Sequence, residues 1–190
     1  RDTHALVTGL GKKMMIWDDM FEVCPESLHA IPRDIVLCCW QYKDVFEKPI
    51  SHFFNRKRDD LFARYDRLGF PYLLCTKERT VNNVRSFTDY AGKYRPLGGL
   101  VTTWGHRTDF LLRAYPVIAF AGRWWKEGAP GNHERVLNGV AKDLFGIDDE
   151  LFRRAMKCFT GRRTWPLLER PENALRGMPS LMEREREDET

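Results

Sequence analysis

The sequence predicts an α/β fold with a parallel sheet, of the TIM (βα)8-barrel kind, of which the chain supplies about four βα units. Three observations lead there. Four short apolar segments, 13–17 (KMMIW), 34–40 (DIVLCCW), 71–76 (PYLLCT) and 99–104 (GLVTTW), run without polar alternation, as strands buried on both faces do. Each is followed by a stretch of helical character, and a strand spacing of roughly 25 to 35 residues suits βα units joined by right-handed crossovers. At 190 residues the chain can bury one core but falls short of the roughly 250 residues of a whole barrel, so either the fold is smaller or a half is missing.

The opening piece, 4–10, reads as the tail of a helix. Between the second and third strands, 59–68 sets Leu61, Phe62, Tyr65 and Leu68 at helical spacing, with Gly69 as a C-terminal stop. After the third strand, Thr80 can cap a helix carrying Val81, Val84, Phe87, Tyr90 and Ala91, ended by Gly92 or Pro96. After the fourth strand, 108–125 is a long amphipathic or buried helix. The loop GAPGN, starting at Gly128, then changes the character of the chain. Helical segments follow around 133–145 and 148–159, the second opened by Asp148 and Asp149 as cap candidates. The predicted organisation is therefore a half-barrel over 1–127, an appended helical region over 128–182, and a charged tail, EREREDET, over 183–190 that is too poor in apolar residues to pack.

Composition narrows the function classes. No apolar run approaches the ~20 residues of a membrane span. The start, Arg1-Asp2-Thr3-His4, lacks the basic and apolar segments of a signal peptide. The five cysteines, Cys24, Cys38, Cys39, Cys75 and Cys158, make an odd set without C-x-x-C spacing, which fits neither a disulfide framework nor a zinc site. A reducing, cytoplasmic setting is expected, with no metal and no cofactor. The net charge of +4 is modest and its signs are mixed. Arg56-Lys57-Arg58 and Arg162-Arg163 read as solvated surface, so no nucleic-acid partner is expected. Gly98-Gly99 lacks a phosphate-loop pattern and reads as a turn into a strand.

The informative residues end the strands, because a (βα)8 barrel builds its site at the C-terminal ends. The first ends Trp17-Asp18-Asp19, the second Trp40-Gln41-Tyr42, the third Thr76-Lys77-Glu78 and the fourth Trp104-Gly105-His106. One strand-end Trp is more often core than ligand wall, but recurrence at equivalent positions favours a carbohydrate pocket, with indole faces against the C–H faces of a pyranose. Asp18 and Asp19 are adjacent and point to opposite sides, so only one can face such a pocket, and they cannot be the paired carboxylates of a glycosidase, which flank a bond at roughly 5 to 9 Å. One of them binds ligand or braces a loop, and Asp19 serves equally as a helix cap. His106, Arg107 and Asp109 can orient a sugar or brace the last loop. The thiols of Cys38, Cys39 and Cys75 read as inert packing.

These strand ends resemble a known family. KKMMIWDDMF resembles the fifth-strand segment of family 20 glycoside hydrolases, the β-N-acetylhexosaminidases, IVLCCWQY resembles the sixth strand, and GGLVTTWGHRTDF the eighth. The likeness covers roughly 4–125 and makes the four units strands 5 to 8 of the barrel. It implies that Trp17, Trp40 and Trp104 line the pocket for a terminal N-acetylglucosamine or N-acetylgalactosamine, with Asp18, Thr76, His106 and Asp109 as further substrate-binding positions. It also implies substrate-assisted retention: the acetamido oxygen attacks the anomeric carbon, an Asp orients the amide and a Glu protonates the leaving oxygen. That Asp-Glu pair belongs to a fourth strand not among these residues, so this chain alone is expected to be inactive. Two departures stand out: the seventh-strand Tyr and Asp of many members correspond here to LLCTKE, with Thr76 or Glu78 as substitutes, and a Glu two places after the eighth-strand Trp corresponds to His106. The alternative expectation is a non-catalytic carbohydrate-binding or assembly half-barrel, its sheet edges covered by another chain or by the missing half.

Overall fold

The computed structural model describes residues 2–49, 60–78, 80–104, 108–128, 131–146, 148–150 and 154. The elements are α1 (Asp2–Gly9), β1 (Met15–Trp17), β2 (Val36–Trp40), α2 (Leu61–Leu68), β3 (Tyr72–Lys77), α3 (Val81–Ala91), β4 (Gly98–Thr102), α4 (Thr108–Lys126) and α5 (His133–Phe145). The four strands form one sheet in the order β1-β2-β3-β4, every neighbour parallel. The predicted α/β class and parallel sheet are thus found, with strand ends within two residues of those read from the sequence.

One crossover differs from expectation. β1 and β2 are joined by two short 3₁₀ helices, Asp19–Glu22 and Pro25–His29, instead of an α-helix. Pro25, at the first position of the second, has no N–H to continue a helix from the preceding turn, and so divides the segment. Phe21 and Leu28 still bury themselves beneath the sheet, at 6% and 0% exposure. The connection therefore does a helix's packing in a shorter form.

Local chemistry sets the helix ends. Asp60 Oδ1 accepts the Phe62 N–H at 3.1 Å to start α2, and Gly69 stops it in the left-handed region, φ 74°, where a side chain would be strained. Thr80 Oγ1 accepts the Asn83 N–H at 3.2 Å to start α3. Asn132 caps α5 in the same way through the Arg135 N–H at 2.9 Å.

The helices pack on one face of the sheet. Leu37 and Cys39 of β2, Tyr72 and Leu74 of β3, Phe62 and Tyr65 of α2, and Phe87 and Ala91 of α3 share one buried cluster, with Met14 and Ile16 at its margin. A second cluster joins Val81 and Val84 of α3 to Val117, Phe120, Ala121 and Trp124 of α4 and Val136, Leu137 and Val140 of α5, with Val101 of β4 against it. Close approach at β4 depends on Gly99: a Cβ there would lie 2.2 Å from the Trp125 ring. α5 falls where an appended helix was expected, and it docks on α4. The tail 183–190 and most of 148–159 lie outside the described residues. α1 buries no side chain. Among the described residues no helix is long and apolar enough to cross a membrane.

Candidate functional site

Strand alternation sorts the sheet into two faces. The register pairs Trp17 with Cys38, Trp40 with Cys75 and Lys77 with Thr102. These six side chains therefore share the face opposite the helices. Trp17, Trp40, Lys77 and Thr102 are the last residues of their strands, so the C-terminal edge of that face is lined by every strand in turn. Met15, Trp17 and Leu100 on it are 48%, 42% and 38% exposed.

Trp104, two residues beyond β4, joins this edge. Its ring lies 5.9 Å from that of Trp17, tilted by 42°. β1 and β4 are the outer strands, three spacings or about 14 Å apart across the sheet, so the two indoles lean inward over the central strands. Rings at 5.9 Å touch each other and leave no room for a sugar between them, which needs about 3.5 to 4 Å on each side. Their exposed outer faces are the available platform.

Tyr42, in the loop after β2, ties this edge together. Its ring packs 4.9 Å from that of Trp40. Its hydroxyl receives the Trp104 indole N–H at 2.9 Å and shares a 2.9 Å hydrogen bond with the Thr102 hydroxyl, which also reaches the Thr76 carbonyl at 2.9 Å. Burial pushes the Tyr42 phenol above its ordinary value, against the hydrogen bonds from Thr102 and Trp104, so it stays protonated at neutral pH. The Lys77 ammonium lies over the same ring, 5.5 Å from its centroid.

Asn83 holds the loop in position. It is 2% exposed. Its Nδ2 donates to the carbonyls of Gln41 at 3.0 Å and Lys43 at 2.5 Å, on either side of Tyr42, while its Oδ1 accepts the Lys77 N–H at 3.0 Å. One amide thereby fixes the backbone carrying Tyr42 against the backbone carrying Lys77. Further along, Ser86 Oγ accepts the Phe46 N–H at 2.8 Å and anchors the same loop to α3.

Two residues expected in the pocket face the helices instead. Asp18 follows Trp17 by one residue and so turns to the opposite side, where it is 6% exposed. Its Oδ2 accepts the Tyr65 hydroxyl at 3.2 Å and its Oδ1 the Trp40 N–H at 3.4 Å. Burial pushes this carboxyl up to about 7, against hydrogen bonds from Cys39, Trp40 and Tyr65. It braces the ends of β1 and β2 to α2, the loop-bracing role its position also allowed. Thr76 pairs with Val101 on the helix side, is fully buried, and its hydroxyl has no hydrogen-bond partner among the described residues. Of the other expected residues, Trp17, Trp40 and Trp104 come together at one edge, His106 lies outside the described residues, and Asp109 lies in α4 with its side chain outside them.

Sequence reasoning missed Tyr42, Lys77, Thr102 and Asn83 as site residues. Thr102 carried a signal, since two-residue alternation back from Trp104 puts it on the same face, whereas β3 holds no tryptophan and the face of Lys77 follows only from the register. Asn83 carried none, since the two carbonyls it holds are about 40 residues away.

The thiols of Cys38 and Cys75 lie lower on the same face, both buried. The hydrogen bond to Cys38, then burial, pushes the Cys75 thiol well above its ordinary value. Burial does the same to Cys39 on the helix side. The same hydrogen bond pushes the Cys38 thiol below its ordinary value, whereas the raised thiols of Cys75 and Cys39 stay protonated and are poor nucleophiles. Among the described residues no three His, Cys, Asp or Glu side chains gather as a metal site. The site is an aromatic edge with one ammonium and two hydroxyls, suited to stacking and hydrogen bonding. No family model, no curated protein and no solved structure matches the chain.

Proposed function

We propose that this chain forms the C-terminal half of a (βα)8 glycosidase barrel resembling the family 20 β-N-acetylhexosaminidases, and that its aromatic edge binds the terminal N-acetylhexosamine. The observation that carries the reading is the convergence of Trp17, Trp40, Tyr42 and Trp104 at the C-terminal ends of parallel strands. The sheet order supports the barrel. Four parallel strands in sequence order, with packed helices on one face, are the arrangement expected of an arc of a barrel, whereas a complete doubly wound sheet reverses its order and takes helices on both faces.

In this reading the exposed indole faces hold the sugar ring, and Asp18 and Asn83 act behind them, positioning Trp17 and Tyr42. Cleavage by attack of the acetamido oxygen requires an Asp and a Glu contributed by residues outside this chain. Titration with methyl N-acetyl-β-glucosaminide should quench or shift tryptophan fluorescence, and Trp104→Ala or Trp17→Ala should weaken binding about tenfold, the order expected for one aromatic platform. A protein that includes the upstream barrel strands should release phenol from an aryl N-acetyl-β-glucosaminide, while these 190 residues alone should not. Hydrolysis by the 190-residue chain would overturn the placement of the catalytic pair. Absence of sugar binding would overturn the reading itself.

The sheet's outer strands favour a second reading. β1 and β4 lie at the edges of the sheet, as suits a non-catalytic carbohydrate-binding half-barrel that completes its sheet on another chain. Sedimentation as a well-folded monomer counts against that version.

A further inference from the structure

The sheet face that carries the aromatic edge also carries two thiols. The register pairs Cys38 with Leu73 and Cys75 with Trp40, so the two cysteines stand on neighbouring strands, two residues apart along the sheet, and point to the same side. Cys75 Sγ lies 3.9 Å from the Leu73 carbonyl, so this side chain leans back along β3 towards the level of Cys38. The two sulfurs share a hydrogen bond that Cys75 donates, and it draws the Cys38 thiol below its ordinary value. Both residues are buried, yet the packed helices lie on the other face. Their neighbours in register are Trp17, Trp40 and Leu100, and Trp17 and Leu100 are themselves partly exposed. A small ion has one layer of side chains to pass.

Two such thiols could close a disulfide or share a metal ion. A diagonal pair on adjacent strands sets its Cα atoms roughly 8 Å apart, from a strand spacing of about 4.8 Å and a rise of about 3.3 Å per residue. That exceeds the ~7 Å a disulfide spans without backbone movement. Two metal–sulfur bonds of about 2.3 Å each bridge the wider gap between sulfurs that lean together. Among the described residues no third His, Cys, Asp or Glu joins the pair, which leaves it short of the four ligands of a structural zinc. Thiolates select soft cations, and copper(I) accepts as few as two of them.

We infer that Cys38 and Cys75 form a two-coordinate site for a soft monovalent cation of the copper(I) kind, on the sheet face below the aromatic edge. On binding, two metal–sulfur bonds form and the protons still held by the thiols pass to water, with no change in oxidation state. Cys39, which faces the helix side, and the exposed Cys24 take no part.

The test uses the full 190-residue chain with Cys24→Ser and Cys158→Ser in every sample, titrated anaerobically with copper(I) against a colorimetric copper(I) chelator. One ion per chain should bind, with release of protons and quenching of the neighbouring tryptophans. Cys38→Ser or Cys75→Ser should each weaken binding by more than the ~10–100-fold that loss of an outer-shell partner costs. Cys39→Ser, an equally buried exchange, should leave it unchanged and so controls for damage to the fold. X-ray absorption of the copper-loaded sample with Cys38, Cys39 and Cys75 intact should show two sulfurs on the metal. No binding, binding that survives Cys38→Ser, or a third sulfur overturns the site. Formation of a Cys38–Cys75 disulfide by hydrogen peroxide, read as the loss of two hydrogens by mass, overturns the separation on which it rests.

Discussion

Asn83 illustrates how much one side chain can organise. Both of its donors and its acceptor are used, on two carbonyls of the loop after β2 and the N–H of the last residue of β3. Asn83→Ala strands two carbonyls and one N–H near the end of β3, and should cost roughly 3 kcal/mol, the scale of several buried polar groups losing partners at once. Urea denaturation should show the lower midpoint at unchanged slope, and a loss under 1 kcal/mol would mean that water replaces the amide. Asp18 works differently. It is a carboxyl kept from water by packing, with Tyr65 and Trp40 as its donors, and its value lies in orienting the residue before it.

At the level of elements, the sheet and its helices are matched through small residues. α4 can lay Trp125 on β4 because position 99 has no side chain, and the Trp125 indole N–H then reaches Thr88 Oγ1 of α3 at 2.9 Å. Gly99→Ala forces the ring or the helix outward and should destabilise by about 2 kcal/mol, the usual scale of overpacking. A lowered melting temperature with altered near-ultraviolet dichroism would report it, and an unchanged melt would show that Trp125 can swing aside at no cost. The 3₁₀ crossover between β1 and β2 makes a similar point: Phe21 and Leu28 reach the core although the segment is not an α-helix, because burial of their side chains depends on position under the sheet and not on helix type.

For the whole molecule, the buried carboxyl of Asp18 couples stability to pH. Its folded value of about 7 exceeds the ordinary 3.8, so the folded state holds the proton more tightly than the unfolded chain. Its contribution is complete below about pH 4, declines as pH rises toward 7, and is gone above that. The ceiling is about 4 kcal/mol. Thermal melts between pH 4 and 8 should show this decline. Asp18→Asn, neutral at every pH, should flatten it and melt higher than the parent at pH 8. An equal slope in both proteins would mean that Asp18 stays ionised in the fold.

The alternation of apolar runs and helical segments determined the α/β class, the four parallel strands and the ends of α2, α3 and α5, since these follow from local hydrophobicity, caps and glycine stops. It also singled out Trp17, Trp40 and Trp104, because strand ends can be counted along the chain. Which face each neighbour of a tryptophan takes was decided by the sheet's register and helix packing: Asp18 and Thr76 turn to the helices, and Lys77 and Thr102 to the aromatic edge. Tyr42 and Asn83 acquired their roles only in three dimensions, for a hydrogen bond spanning 40 residues or more leaves no periodic trace in the sequence.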